Sequence, residues 1–213
     1  LFTTLFHPAF SQESKDTKAD KSKPKIKKYE EVIPDTAISN TGIFSTHEVG
    51  DKLFYEIKPD QIGKEFLWLT QISKTQTSYG YGGTEVSRRV VRWERIEDFI
   101  VLRNVEYYLR AEEGTPEDIA VKAASIEEII KSFSIVTFGK NREPVIEVTG
   151  LFKDDTHEFS PKELLDASGI DKSRTFITSV KCFERNIETR VLATYKKKPP
   201  KPPVPGTFRP SQR

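Results

Sequence analysis

His47 and Glu48 are the residues whose types most directly suggest catalytic chemistry. They lie in the run THEVGD, residues 46–51. A helix that binds catalytic zinc needs a second histidine four residues after the first, with the glutamate beside them as general base. Asp51 occupies that position here, and Gly50 weakens any helix. The turn residues instead predict a β-hairpin turn at residues 49–52.

Residues 154–158 contain the densest set of potential metal ligands: Asp154, Asp155, His157 and Glu158. The segment lacks the glycine and the terminal glutamate of an EF-hand loop, and one histidine among carboxylates makes at best a weak calcium or zinc site. We therefore expect a solvated turn here.

Cys182 is the single cysteine of the chain, so it cannot form an internal disulfide. A nucleophilic thiol would need a histidine partner, and only His7, His47 and His157 are available. Cys182 alternates with Phe176 and Val180, which favours a buried structural thiol. We expect no catalytic and no metal-binding residue in this chain.

A loop rich in tyrosine and glycine occupies residues 78–84. A phosphate-binding loop would end at a helix N-terminus with a Gly-Lys-Ser/Thr sequence, whereas the residues after Gly83 alternate as a strand does. The expected structure is a long hairpin loop. Its functional interpretation is that Tyr79 and Tyr81, with Trp93 on the following strand, contact a substrate or another domain.

Four arginines follow this loop and alternate with apolar residues: Arg88, Arg89, Arg92 and Arg95. In a strand, Arg88 and Arg92 share one face, and Arg89 and Arg95 share the other face with Trp93. The arginines therefore do not form a single basic stripe. We expect them to pair with acidic groups such as Glu97 or Asp98.

The run QISKTQTSYGYGGTEVSRRVVRWER, residues 71–95, resembles a known family. It is similar to the domains of unknown function that precede the catalytic domain in large secreted bacterial zinc-dependent metallopeptidases of metzincin-like type. The resemblance covers residues 29–195. It implies that zinc belongs to the parent protein and that no cofactor belongs to this chain. The implied partner is the C-terminal catalytic domain of the same polypeptide.

Period-two alternation predicts strands over most of residues 53–107 and again at 145–148, 176–183 and 189–195. Turn signals at residues 96–98 and 184–186 imply short connections and therefore antiparallel pairing. The predicted fold class is α+β, a predominantly antiparallel β-sheet with one or two short helices, flanked by disordered tails.

Two segments carry helical signals. A cap at Ser160, Pro161 at the first helical position and Glu163 at the third predict a helix that Gly169 ends. Residues 125–138 combine a helix cap with strand-like spacing, so the type of this element stays open.

Both ends differ in composition from the centre. Residues 1–11 resemble the remnant of a signal peptide with cleavage between Ser11 and Gln12, followed by a lysine-rich tether at 12–28. A Pro/Lys-rich spacer at 196–213 favours polyproline II. Because the chain begins without methionine, we expect a truncated piece of a longer, secreted or periplasmic or cell-surface protein.

The net charge of +2 hides a segregation of charge. Residues 13–28 carry seven lysines against three acids, and residues 196–213 carry six basic residues and no acid. The ten net positive charges of the tails leave residues 29–195 at a net charge of −8. Nucleic acid is therefore not an expected partner. No apolar run reaches the length of a membrane span.

These features favour a β-rich accessory domain at residues 29–195. The first hypothesis is a non-catalytic, prodomain-like region that packs against the catalytic domain of a zinc metallopeptidase and helps to shape its cleft. The alternative is a stand-alone extracellular module that binds peptide or polysaccharide through the aromatic loop.

Overall fold

A computed structural model describes residues 26–77, 81–107, 111–124 and 126–199 of the chain. The strands in these residues are β1 Ile38–Thr41, β2 Ser45–Val49, β3 Lys52–Glu56, β4 Glu65–Ile72, β5 Thr84–Ile96, β6 Phe99–Val105, β7 Ile129–Phe138, β8 Pro144–Glu147, β9 Ala167–Ile170, β10 Phe176–Cys182, β11 Ile187–Leu192 and β12 Tyr195–Lys197. The α-helices are α1 Tyr29–Val32, α2 Pro116–Ala124 and α3 Thr149–Lys153. Short 3-10 turns lie at Pro59–Gln61, His157–Phe159 and Lys172–Arg174. The predicted α+β class is confirmed.

Eight strands form one antiparallel sheet in the order β1-β2-β3-β8-β7-β6-β5-β4. The hairpin predicted at residues 49–52 joins β2 to β3, and Gly50 provides the positive φ of 62° that its turn requires. The predicted turn at residues 96–98 joins β5 to β6, with Glu97 in the left-handed region at φ 51°. Two smaller antiparallel pairs, β10-β11 and β12-β9, complete the strands of the described residues.

The inner face of the sheet holds the main core. Its buried side chains mostly occupy alternate strand positions, and they include Leu53, Tyr55, Val91, Trp93, Ile100, Leu102, Ile135, Ile146 and Val148. The ring of Phe44, in the β1–β2 turn, lies 5.6 Å from the ring of Phe66 on β4. The sheet is therefore curved enough to bring its two ends together over the core.

A second, smaller cluster covers part of the outer face. Val32 and Ile33, from α1 and the residue after it, pack with Phe54 and Val145. The preceding segment is tied to β7, because the Lys27 N–H donates to the Val136 carbonyl at 3.0 Å. The N-terminal part of the described chain thus lies against the outside of the sheet.

The β10–β11 hairpin covers the open side of the core. The prediction that Phe176 shares the buried face of this hairpin with Val180 is wrong. A β-bulge between Ile177 and Ser179 shifts the alternation, so Ile177 packs on the core and Phe176 is exposed. Cys182 is half-buried rather than buried, and its thiol donates to the Phe44 carbonyl at 3.2 Å. The predicted turn at 184–186 joins the two strands.

The prediction of a helix after Ser160 is wrong. The Ser160 hydroxyl does accept from the Lys162 N–H at 3.1 Å, but the chain makes only one turn. The Ala167 N–H bonds to the Lys162 carbonyl and the Asp166 N–H bonds to the Glu163 carbonyl. With Asp166 at φ 47°, these bonds form the closing motif of a helix C-terminus. Gly169 consequently lies in β9.

The sequence left the type of the element at residues 125–138 undecided. It is a strand, β7, from Ile129 onward. A helix that was not predicted, α2, lies just before this strand. Its signal was present: the Thr115 hydroxyl accepts from the Asp118 N–H at 3.2 Å, and Pro116 occupies the first helical position.

Replacement of Gly42 by alanine should destabilise the domain. An added Cβ would lie 2.3 Å from the main-chain oxygen of Phe183 and 2.9 Å from the Cys182 sulfur, so the hairpin must move. We expect a loss of about 2 kcal/mol in the free energy of unfolding, measured by urea denaturation. Thr41→Ala, at the exposed neighbouring position, is the control and should change this value by less than about 0.5 kcal/mol. Equal stability of both variants would contradict the packing described here.

Candidate functional site

The β4–β5 hairpin carries the tyrosine- and glycine-rich loop. Its strands pair from Glu65↔Arg92 to Ile72↔Thr84, and the Gly83 N–H donates to the Ile72 carbonyl at 2.7 Å. Tyr81 is 86% exposed at the end of this loop. Tyr79 lies outside the described residues. The hairpin therefore presents at least one aromatic ring to solvent.

Trp93 lies inside the domain, with only 2% of its surface exposed. Its ring contacts those of Tyr55 and Phe133, with centroids 6.3 and 5.7 Å away. The fold does not bring Trp93 to the surface beside Tyr81. Trp93 therefore packs β5 against the core.

The outward side of β4 exposes two leucines between Glu65 and Gln71, although β4 is an edge strand. Leu67 and Leu69 are 64% and 44% exposed, while the alternate residues Phe66 and Trp68 point inward. Trp68 is held by the ring of Phe159, stacked at a centroid distance of 4.4 Å. β4 leads directly into the loop that carries Tyr81. We call Leu67, Leu69 and Tyr81 the edge surface.

Arg92 of β5 pairs with acidic groups on its own strand and on neighbouring segments. Arg92 bonds to Glu94 at 2.7 Å, to Glu127, and more distantly to Glu65 of β4 at 3.8 Å. Glu94 also binds Arg103 of β6. Burial raises the pKa of Glu94, but the hydrogen bonds from Arg103 and Arg92 outweigh burial and lower its pKa overall.

The other three arginines each have a separate environment. Arg88 binds Glu85 at 2.8 Å. Arg89 donates to the Glu158 main-chain oxygen at 3.2 Å, and Arg95 donates to the Glu97 main-chain oxygen at 3.1 Å. Glu97 is thus a partner through its backbone rather than its carboxylate. The four arginines do not form a common basic surface.

His47 lies on β2 and is 5% exposed. Glu48 follows it on the strand and so points to the opposite face, which rules out the zinc-peptidase arrangement for this pair. The His47 ring is held on both sides: Nδ1 lies 2.8 Å from the Ser39 hydroxyl on β1, and Nε2 lies 3.2 Å from Glu56 Oε2 on β3. The Tyr29 hydroxyl donates to the same Glu56 oxygen at 2.8 Å.

Ser39 and Glu56 are the residues that sequence reasoning missed. They precede and follow His47 by eight and nine residues, a spacing without any recognised motif. The antiparallel register of three neighbouring strands brings them together. We call Ser39, His47, Glu56 and Tyr29 the His47 cluster.

The acidic segment at residues 154–158 forms a turn, as predicted, and its carboxylates bind lysines. Asp154 lies 2.8 Å from Lys131 Nζ and 2.7 Å from Lys172 Nζ. Burial raises its pKa, yet these two hydrogen bonds lower it overall. Within the part of the chain that is described, no three His, Cys, Asp or Glu side chains group to hold a metal ion.

A shallow depression of about 420 Å³ lies beside the start of β4. Apolar side chains of Ile43, Phe66 and Leu67 line it together with charged groups of both signs: Lys58, Asp60, Glu65, Glu184 and Arg185. This mixture of charges defines no single ligand chemistry. Among the described residues, no helix is long and apolar enough to cross a membrane.

The fold and its surface define a β-rich domain with an exposed apolar edge and an aromatic hairpin loop. Residues 83–212 match DUF5117, a domain of unknown function, and residues 26–75 match DUF5118, a second domain of unknown function. The first match covers more than half of the chain, so the chain belongs to the DUF5117 family. No curated protein and no solved structure matches it. The expectation of domains of unknown function is confirmed.

The two family matches meet in the β4–β5 loop, yet both contribute to one sheet. The DUF5118 segment supplies β1, β2 and β3 at one end of the sheet and β4 at the other. The DUF5117 segment supplies the strands between them. In this chain the two families form one structural unit.

Replacement of Glu94 by glutamine should reduce stability most at neutral pH. The lowered pKa of Glu94 means that its charge stabilises the fold above the ordinary value of 4.5, and this contribution is lost as pH falls through the lowered pKa. We expect Glu94→Gln to cost about 1 kcal/mol at about pH 7 and clearly less at about pH 3, by urea denaturation. Glu113→Gln, in an exposed loop, is the control. A cost for Glu94→Gln that does not change with pH would contradict this assignment.

Proposed function

We propose that this chain is the non-catalytic, prodomain-like N-terminal accessory region of a secreted zinc-dependent metallopeptidase. In this role it packs through its edge surface against a catalytic domain that residues 1–213 do not contain. The proposal rests on the resemblance of residues 71–95, and the observation that carries the docking role is the exposed apolar side of β4.

The edge surface suits a domain contact for two physical reasons. Proteins normally protect an edge strand with charges or prolines, whereas β4 has one charge, Glu65, and exposes Leu67 and Leu69 along an edge that no described strand pairs. Tyr81 adds a ring that combines a large apolar area with a hydroxyl, a type enriched in interfaces. Burial of these groups against a second domain would remove them from water.

The side chains of this chain favour an accessory role beside the zinc site of the proposed catalytic domain. No zinc-peptidase motif occurs in the sequence, and both nitrogens of the His47 ring are bound to Ser39 and Glu56 instead of to a metal ion. Zinc and the hydrolytic residues are then assigned to the catalytic domain of the parent protein.

Removal of the loop tyrosines tests the docking role. In the full-length protein, Tyr79→Ala with Tyr81→Ala should weaken the contact between domains by at least about tenfold, because two aromatic anchors are lost. Hydrogen exchange would report this as faster exchange in β4 and in the surface that it covers. The rate of peptide cleavage should change in parallel.

Ile38→Ala is the matched control for the tyrosine variant. Ile38 is an exposed apolar residue, 66% exposed, on the opposite edge strand of the same sheet. The Ile38→Ala variant should leave both the hydrogen exchange of β4 and the rate of peptide cleavage unchanged. Unchanged exchange and cleavage in the double tyrosine variant would refute the docking role, and binding of isolated peptide or polysaccharide by the loop would support the stand-alone module instead.

Metal analysis of the purified chain tests the absence of its own zinc site. We expect well below one zinc per chain after dialysis, because the clustered carboxylates at Asp154 and Asp155 already bind Lys131, Lys172 and Lys162. The same measurement on the full-length protein is the reference and should give about one zinc. A tight one-to-one zinc site in residues 1–213 would overturn the assignment.

A further inference from the structure

The His47 cluster arranges a serine, a histidine and a carboxylate in one hydrogen-bonded series. The three residues lie on adjacent strands, and His47 on the middle strand bonds to Ser39 on one side and to Glu56 on the other. A nucleophilic serine needs this relation: a base within hydrogen-bond reach of its hydroxyl, and a third group that orients the base.

The contact with Glu56 determines which nitrogen of His47 acts as base. A carboxylate only accepts hydrogen bonds, so in the neutral ring Nε2 carries the proton and donates it to Glu56. Nδ1 then has a free electron pair facing the Ser39 hydroxyl, 2.8 Å away. The Tyr29 hydroxyl fixes the same Glu56 oxygen. Glu56 and Tyr29 therefore act as positioning residues.

Burial strengthens this arrangement. The side chain of His47 is 7% exposed and that of Glu56 is 14% exposed, so water screens their interaction little. A protonated His47, formed when it takes the serine proton, would be stabilised by the adjacent Glu56 carboxylate. Desolvation, together with the hydrogen bond to Glu56, also raises the pKa of Tyr29, which keeps its hydroxyl a donor.

Ser39 is accessible, unlike its partners. It is exposed, and β1 is the outermost strand at its end of the sheet. Hydrogen bonds alternate along an antiparallel pair, and the Gly42 N–H donates to the Phe44 carbonyl. By this alternation Ser39 and His47 form a non-hydrogen-bonded pair, and the Ser39 N–H points to the open edge of the sheet. A donor is thus available next to the nucleophilic oxygen.

Apart from zinc-dependent peptide cleavage, for which the proposed function gives this chain no catalytic residue, we propose that Ser39 is a nucleophile that takes an acyl group from an activated carboxylic ester, with His47 as its base. The Ser39 oxygen forms a bond to the acyl carbon while its proton passes to His47 Nδ1. The bond from the acyl carbon to the leaving oxygen breaks, and the leaving oxygen receives the proton from His47. Water then hydrolyses the acyl-serine, with His47 again as base, and releases the carboxylic acid.

A fluorophosphonate probe tests this reactivity directly in the purified 213-residue chain. Attack by Ser39 forms an oxygen–phosphorus bond and expels fluoride, so intact mass and peptide mapping should find one adduct, on Ser39. Ser39→Ala should abolish it. His47→Gln should slow labelling by at least about 100-fold, the usual contribution of a general base.

The controls separate reactivity from folding. Ser168 is an exposed strand serine whose hydroxyl donates to the carbonyls of Lys196 and Lys197, so Ser168→Ala should be labelled as fast as the wild type. Circular dichroism verifies that each variant is folded. If His47→Gln does not fold, Glu56→Gln provides a second test. A folded wild type without an adduct on Ser39 would show that the His47 cluster is structural only. Equal labelling of wild type and a folded His47→Gln would also overturn the proposal.

Discussion

The pairing of β3 with β8 is the interaction on which the rest of the fold depends. Tyr55↔Ile146 and its neighbouring pairs attach the three-strand meander β1–β3 to strands that lie about ninety residues later in the chain. Both residues are buried in the main core. This pairing sets the position of β3 against α1, and so it brings the Tyr29 hydroxyl to Glu56 of the His47 cluster. It also leaves β4 as the far edge of the sheet, where its outward leucines are uncovered.

The interleaved strand order explains why two sequence families can describe one structural unit. β4 is joined to β3 by a short connection, yet four other strands separate the two in the sheet. The contact between Phe44 and Phe66 brings these ends back together over the core. Neither segment alone has the partners that its apolar side chains need, because the core is built from both. The family boundary thus falls at an exposed loop and not between two cores.

The sequence predicted those features that local chemistry determines. Alternation identified β3, β4, β5 and β6, and turn residues such as Gly50 located the hairpins. Local irregularities caused the wrong predictions of a helix after Ser160 and of a buried face at Phe176. Asp166 in the left-handed region ends the turn after Ser160, and a bulge moves Phe176 to the exposed face of its strand. The His47 cluster depends on register between strands, which no local spacing encodes. The exposure of Tyr81 agrees with its assignment to a loop, whereas the burial of Trp93 depends on the curvature of the sheet.

The late position of β8 in the chain also has a consequence for how the domain assembles. A chain that emerges N-terminus first exposes β1–β3 and then β4 long before Val145 and Ile146 are available to pair. Contacts between residues so distant in sequence close slowly, because the entropy of a large loop must be lost first. During this interval β3 presents unpaired backbone to other chains, which favours aggregation.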